Sequence, residues 1–217
     1  MNPQIILATV VFTLLAFAPP SSAATKKKTS ANTTFSSPIS CSGAHGVARW
    51  TAKTDSSRPP ADKSQIKAVT PSQMYAWPGV GRSVKLIQNS KRIPAEQKWY
   101  TLTGRVDGMK VEADGDIHIE LVDADDNKLG TVGAEIPCGH MWSEFRKLAF
   151  SWTTQTFPLR FKSSKRLTIV GQHVISVTGK AFYDVDHAPT DRSNERPKPF
   201  HPGHSVWEIH PVMGMTR

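Results

Sequence analysis

Two segments of this chain alternate polar and apolar residues with a period of two, and both combine carboxylates with a histidine. Residues 206–212 read Val-Trp-Glu-Ile-His-Pro-Val, and residues 114–120 read Asp-Gly-Asp-Ile-His-Ile-Glu. Successive side chains of a strand point to opposite faces of the sheet. Each segment therefore predicts a strand with one apolar and one polar face, and the polar faces carry Asp114, Asp116, His118 and Glu120 in one strand and Glu208 and His210 in the other.

Further strands and one major helix complete the predicted fold. Strands are expected at 99–107 (broken or bulged near Gly104), 114–122, 128–136, 167–185 (as one bent strand or two pieces) and 206–212. Three strands, a helix and two more strands is the order of an OB-fold, a five-stranded Greek-key barrel with a helix between its third and fourth strands. We therefore predict a mainly β, OB-fold-like barrel with an N-terminal extension.

The helix of this barrel is expected from residue 140 to about residue 156. Its apolar residues recur at intervals of three and four, the helical period. The charged residues Glu144, Arg146 and Lys147 fall between them and are predicted to point away from the apolar side.

Composition along the chain predicts four regions. Residues 5–18 are apolar and are followed by Pro-Pro and Ser-Ser-Ala-Ala, which is typical of a cleaved export signal. The run is shorter than the roughly 20 apolar residues of a membrane-spanning helix, although a retained anchor is the alternative. We expect a signal peptide at 1–24, a disordered basic tether at 25–38, an extension packing on the core at 39–98 and the barrel at 99–217. The protein is then periplasmic or extracellular, with no membrane span after cleavage.

The chain has two cysteines, Cys41 and Cys138. In an oxidising compartment such a pair most simply forms a disulfide, which would tie the N-terminal segment to the barrel. Two free buried thiols are one alternative. A metal-ligand role for Cys138, beside His140, is another.

The net charge of +9 is unevenly distributed. Residues 25–98 carry thirteen Lys and Arg against three Asp and Glu, whereas residues 99–217 carry fourteen against fifteen. The barrel is therefore not uniformly basic, and a contact with an anionic partner is expected from the N-terminal half. A solvated basic segment without a partner is the alternative.

Ordered motifs extend over most of the chain. They are Arg-Trp-Thr-Ala-Lys-Thr at 49–54, Asp-Gly-Asp-Ile-His-Ile at 114–119, Glu-Ile-Pro at 135–137, Val-Thr-Gly-Lys-Ala-Phe at 177–182 with the acidic run from Asp184 to His187, and Trp-Glu-Ile-His-Pro-Val at 207–212. In this succession the chain resembles an uncharacterised family of secreted bacterial OB-fold-like proteins. The resemblance implies a small exported domain and brings no established activity.

The Asp-Gly-Asp motif at 114–116 also looks like the metal-holding start of micrococcal-nuclease-like domains, which are secreted OB-folds. That resemblance implies a metal-dependent nuclease, which would need Thr after the second Asp. Ile117 stands there, and an Arg-rich second motif is missing.

The histidines and carboxylates of these motifs are expected to converge at one end of the barrel. Imidazole and carboxylate together suit a divalent transition-metal ion. The predicted ligands are His118, His187, His210 and Glu208, with Asp114, Asp116 and Asp186 orienting the imidazoles. The alternatives are a metal-free acid and base pair of Glu208 with His210 or His118, and a buried polar network without chemistry.

Two functions follow from these observations. The first is a binding module for an anionic polymer, nucleic acid or envelope glycan, contacted through the basic N-terminal segment. The second is a small metal-dependent hydrolase, phosphodiesterase-like, centred on the predicted cluster. The sequence lacks a phosphate-cradling glycine loop and a dinucleotide fingerprint, so no nucleotide cofactor is expected.

Overall fold

The computed structural model describes residues 48–125, 130–155 and 165–217. These residues are mainly β. The strands are β1 (Ile66–Val69), β2 (Trp99–Val111), β3 (Ile117–Val122), β4 (Thr131–Ile136), β5 (Lys165–Arg166), β6 (Val174–Tyr183) and β7 (His204–Thr216).

Five strands close into a barrel in the order β2-β3-β4-β7-β6, with β6 pairing back to β2. The β4–β7 pair is parallel, and the other pairs of the barrel are antiparallel. Sequence order and pairing are those of an OB-like barrel, with a helix between its third and fourth strands. The predicted fold class is confirmed.

The helices are α1 (Trp50–Lys53), α2 (Pro71–Tyr75) and α3 (Ser143–Phe150). Within the described ranges, α3 alone reaches seven residues, and no helix is long and apolar enough to cross a membrane. The helix expected from 140 to about 156 is therefore shorter than predicted. It ends at Phe150 because the chain turns to bury Trp152 and to form a bridge between Thr153 and Ile169.

The break or bulge expected near Gly104 is found as a bulge, because β2 runs unbroken through Gly104 and shifts register between Val106 and Gly108. At Gly104 an added side chain would meet backbone, whereas at Gly108 it would meet the end of a flexible side chain. A Cβ on Gly104 would lie 2.7 Å from the carbonyl oxygen of Val122, and one on Gly108 would lie 2.0 Å from Oε2 of Glu120.

Buried arginines attach the described part of the N-terminal extension to the barrel. Arg49 is ion-paired with Glu96, and Nη1 of Arg49 donates to the carbonyl of Tyr183 at 3.1 Å. Nη1 of Arg92 donates to the carbonyl of Ala181 at 2.8 Å. These bonds to the backbone of β6 place the adjoining helix α1 against the barrel wall.

The barrel wall has an apolar inner face and a polar outer face. Ile119, Ala134, Ile209 and Ala181 lie side by side across β3, β4, β7 and β6 and are buried in the core. Neighbouring residues in each strand point the opposite way. His118 lies opposite Glu135, and Gly133 lies opposite Glu208, on the outer face.

The predicted signal peptide (1–24) and tether (25–38) lie outside the described residues, as does Cys41. The disulfide between Cys41 and Cys138 therefore stays a prediction.

Candidate functional site

A cavity of about 200 Å³ opens on the outer face, where β2 gives way to β3 and β6 ends. Helix α1 contributes one wall, and the turn after β6 contributes another. Seven carboxyl groups and two lysines line it, so the cavity is acidic. The lining residues are Lys53, Lys110, Glu112, Ala113, Asp114, Asp116, Glu135, Asp184, Asp186, His187, Glu208 and His210.

Glu135 and His118 form the centre of this face. They are directly opposite on β4 and β3, and Nδ1 of His118 is hydrogen-bonded to Oε1 of Glu135. Oε2 of Glu135 is buried and has no hydrogen-bond partner among the described residues. Glu112, His118 and Glu135 each offer one possible ligand atom, and these atoms lie within 4.8 Å of one another.

Burial shifts both members of this pair toward their neutral forms. It raises the pKa of Glu135 well above its usual range, and the nearby carboxylates of Glu208 and Glu112 add to the shift. It lowers the pKa of His118 to about 4. An uncharged imidazole beside a carboxyl group is ready to coordinate a cation once the carboxyl proton is displaced.

A second histidine, His210 on β7, faces the same cavity. Its Nδ1 lies 3.2 Å from Oε1 of Glu208, and its Nε2 lies 3.8 Å from Oδ2 of Asp116. Nε2 is buried without a hydrogen-bond partner in the part of the chain that the structure describes. Burial lowers the pKa of His210 well below its usual value. Burial, together with Asp114 and Glu135, raises the pKa of Asp116 to about 8.

The loop that carries Asp114 and Asp116 is held by Arg146 of α3. Its guanidinium donates to the carbonyls of Gly115 at 2.7 Å and of Ile136 and Pro137 at 3.1 Å each. The backbone N–H of Cys138 donates to Oδ1 of Asp116 at 2.7 Å. Arg146 is fully buried, so the prediction that it points away with Glu144 and Lys147 is wrong. Three carbonyls that need a donor draw its side chain inward.

A third group surrounds Asp184, just after β6. Oδ2 of Asp184 is hydrogen-bonded to Nδ1 of His187 and accepts from Nη2 of Arg196 at 3.3 Å. Nη2 of Arg196 also donates to Oε2 of Glu208 at 3.1 Å. The bond to Asp184 raises the pKa of His187. His187 thus belongs to an ion-pair group, separate from the pair of His118 and Glu135.

Lys53 and Lys110 bring positive charge to the cavity. Burial by itself would lower the pKa of Lys53. The carboxylates of Glu208, Asp184 and Glu135 together have the larger effect, and the pKa is raised. Nζ of Lys110 pairs with Oε1 of Glu112 at 2.8 Å. Lys53 is therefore a half-buried ammonium group directed at the acidic cavity.

The structure brings most of the predicted site residues to one cavity. Glu208, His210, His187, Asp114, Asp116 and Asp186 line it, and His118 contacts the lining residue Glu135. Four further residues of the site were not predicted from the sequence: Glu112, Glu135, Lys53 and Arg196. Glu135 could have been predicted, because it lies on the strand predicted to follow that of His118.

Comparisons with protein-family models, with curated proteins and with solved structures find no match. The function is therefore inferred from the chemistry of the site. Buried carboxylates and imidazoles around one open cavity are suited to bind a cation.

Proposed function

We propose that this protein is a metal-dependent hydrolase that holds a divalent transition-metal ion on the outer face of its barrel through Glu112, His118 and Glu135. The observation that carries the proposal is Oε2 of Glu135, which is buried without a hydrogen-bond partner among the described residues. An unpaired buried oxygen costs about 1–3 kcal/mol. An ion bound there would supply the missing partner.

The ligand set supports a catalytic ion. One imidazole and two carboxylates within 4.8 Å of one another form a mixed nitrogen and oxygen set, which suits zinc, iron or manganese. Three protein ligands leave a position for water, as in catalytic zinc sites. A bound ion of this kind lowers the pKa of its water toward about 7 and so generates a nucleophile for hydrolysis.

The surroundings favour a cation over an anionic polymer in this cavity. The lining holds seven carboxyl groups against two lysines, and those carboxyl groups that are ionised repel an unaccompanied anion. A bound ion would offset part of this charge, and Lys53 then offers an ammonium group to an anionic substrate. Binding of an anionic polymer remains a separate prediction for the basic N-terminal segment, and export rests on the predicted signal at 1–24.

The test is the metal content of protein purified without chelator and then equilibrated with Zn²⁺ or Mn²⁺. Wild-type protein is expected to retain metal through gel filtration, and Glu135→Gln, which keeps the side-chain shape, is expected to bind at least about tenfold more weakly at this position. Glu144→Gln is the matched control, because the Glu144 side chain is 82% exposed and pairs with Lys147 on the same helix. Wild-type protein that binds neither ion would overturn the proposal.

A further inference from the structure

His210 is a buried ligand donor outside the set of Glu112, His118 and Glu135. The residue is 2% exposed, and its Nδ1 lies 3.2 Å from Oε1 of Glu208. When Nδ1 donates its proton to a carboxylate, the other ring nitrogen presents a lone pair, which is the usual arrangement of a metal-binding histidine. His210 lines the cavity, and its Nε2 is buried without a hydrogen-bond partner within residues 48–125, 130–155 and 165–217.

Asp116 faces this nitrogen at a distance too long for a hydrogen bond. Oδ2 of Asp116 lies 3.8 Å from Nε2 of His210, while Oδ1 is fixed by the N–H of Cys138. Two atoms bound to one ion at about 2.0–2.2 Å each are separated by about 3–4 Å. The gap is therefore the width that a shared cation would fill. Asp114 lines the same cavity and offers a further oxygen.

We propose that the cavity holds a second divalent cation, bound by His210 and Asp116, beside the ion of Glu112, His118 and Glu135. The inference rests on the proposed function, which it extends from one ion to two. Carboxylates of the first position and both ligands of the second, Glu112, Glu135, Asp116 and His210, line one cavity of about 200 Å³, several times the roughly 30 Å³ that a water molecule occupies in the liquid. The space accommodates two ions and the water between them.

Hydrogen bonds from two arginines hold the ligands of this second position. Arg146 fixes the loop of Asp116 through the carbonyl of Gly115, and Arg196 fixes Glu208 behind His210. Such hydrogen bonds behind the ligands hold their orientation. His187 does not offer an equivalent position, because its side chain is 40% exposed and, among the described residues, it has no buried ring nitrogen without a hydrogen-bond partner.

Two neighbouring ions define a substrate class. Pairs of ions about 3.5–4 Å apart are typical of phosphoesterases, in which they stabilise the attacking and the leaving oxygen. We therefore assign phosphate esters as the substrates. Water forms the new bond to phosphorus, the ester P–O bond breaks, and the water proton passes to the leaving alkoxide, giving the alcohol and the hydrolysed phosphate. Lys53 lines the same cavity, and its ammonium group is expected to neutralise a phosphate oxygen.

The test counts ions per chain by elemental analysis after equilibration with Zn²⁺ or Mn²⁺. Wild-type protein and Glu144→Gln are expected to bind two ions, and His210→Asn and Asp116→Asn are expected to bind one. In His210→Asn, the side-chain amide places a polar atom near the former position of Nδ1, where it can still contact Glu208, and Nε2 is lost. In Asp116→Asn, the side chain keeps an oxygen that accepts from the N–H of Cys138. Circular dichroism and the melting temperature identify variants that fail to fold, and either variant alone suffices for the count.

The possible outcomes separate the two proposals. One ion in wild-type protein that is lost in Glu135→Gln and kept in His210→Asn overturns the second position and leaves the first standing. No ion in wild-type protein overturns both. Two Mn²⁺ ions in this one cavity are also expected to give an exchange-coupled electron paramagnetic resonance signal, which His210→Asn abolishes. A two-ion protein that fails to hydrolyse both p-nitrophenyl phosphate and bis(p-nitrophenyl) phosphate overturns the substrate class.

Discussion

A Cβ atom on Gly133 would lie 2.9 Å from Cε1 of His118. The same position would be 3.4 Å from Oε2 of Glu208, so the absence of a side chain on β4 lets the imidazole and the carboxylate approach each other over the strand. Gly133 is needed for this packing, and its backbone is extended β-strand.

Gly133→Ala is accordingly expected to displace the His118 ring. Overpacking of a buried site costs about 1–3 kcal/mol, and the displaced imidazole should bind metal at least about tenfold more weakly. Urea denaturation and metal titration measure the two effects. Gly214→Ala, near the C-terminal end of β7, serves as the control, because its Cβ would lie 3.3 Å from the side chain of Thr178 on β6. Unchanged metal affinity in Gly133→Ala would contradict the role given to His118.

Arg146→Met is expected to destabilise the protein by about 3 kcal/mol or more. The change leaves the buried carbonyls of Gly115, Ile136 and Pro137 without their donor. Lys147→Met is the matched control, because the Lys147 side chain is 52% exposed and should change stability by about 0.5 kcal/mol or less. Both values come from urea unfolding. A loss under about 1 kcal/mol for Arg146→Met would show that the loop does not depend on this clamp.

The pKa of His187 is expected above its usual value of about 6.5, because Asp184 stabilises the imidazolium. Asp184→Asn removes that charge and leaves the burial, which should bring the pKa below 6.5. Since the folded-state pKa is raised, the stabilisation is complete below the unfolded-state pKa and is lost as the pH rises through the folded-state pKa. His187→Gln should therefore destabilise the protein more at pH 5.5 than at pH 8.5.

Nuclear magnetic resonance titration of the His187 ring measures this pKa directly. Asp186→Asn is the control, because the bond to Nδ1 of His187 comes from Asp184. Equal His187 pKa values in wild-type protein and Asp184→Asn would refute the assignment.

Cys41 and Cys138 are expected to form a disulfide. Alkylation under denaturing conditions should add no label before reduction and two labels after it, as read by intact mass. Reduction should cost about 2–5 kcal/mol of stability. Two labels without prior reduction would exclude the bond.

Binding of DNA or acidic glycan is expected to depend on residues 25–47. This segment includes Lys26, Lys27 and Lys28, whereas residues 48–98 contain the buried Arg49 and Glu96, which the barrel needs. Deleting 25–47 should lower the affinity for DNA. It should also make the slope of log affinity against log salt concentration shallower, by about 0.9 for each phosphate that a lysine no longer neutralises. Binding that is unchanged by the deletion or by salt would rule this segment out.

The order of the barrel strands and the polar faces of β3 and β7 were predictable from the sequence. Alternation with a period of two is a local property of extended backbone, so the placement of His118 with Asp116, and of Glu208 with His210, needs no knowledge of neighbouring strands. The turn residues and the helical period then mark where each element begins and ends, although β7 and α3 differ from their predicted lengths.

The partners of these residues were decided by the tertiary structure. Glu135 lies beside His118 because of the register between β3 and β4. His187 is hydrogen-bonded to Asp184, a contact that the spacing of the two residues in the sequence does not imply. Arg146 turns inward because carbonyls from two separate segments need a donor. Local backbone geometry thus determines which face a side chain occupies, whereas pairing between distant segments determines which charge it meets and, through burial, its pKa.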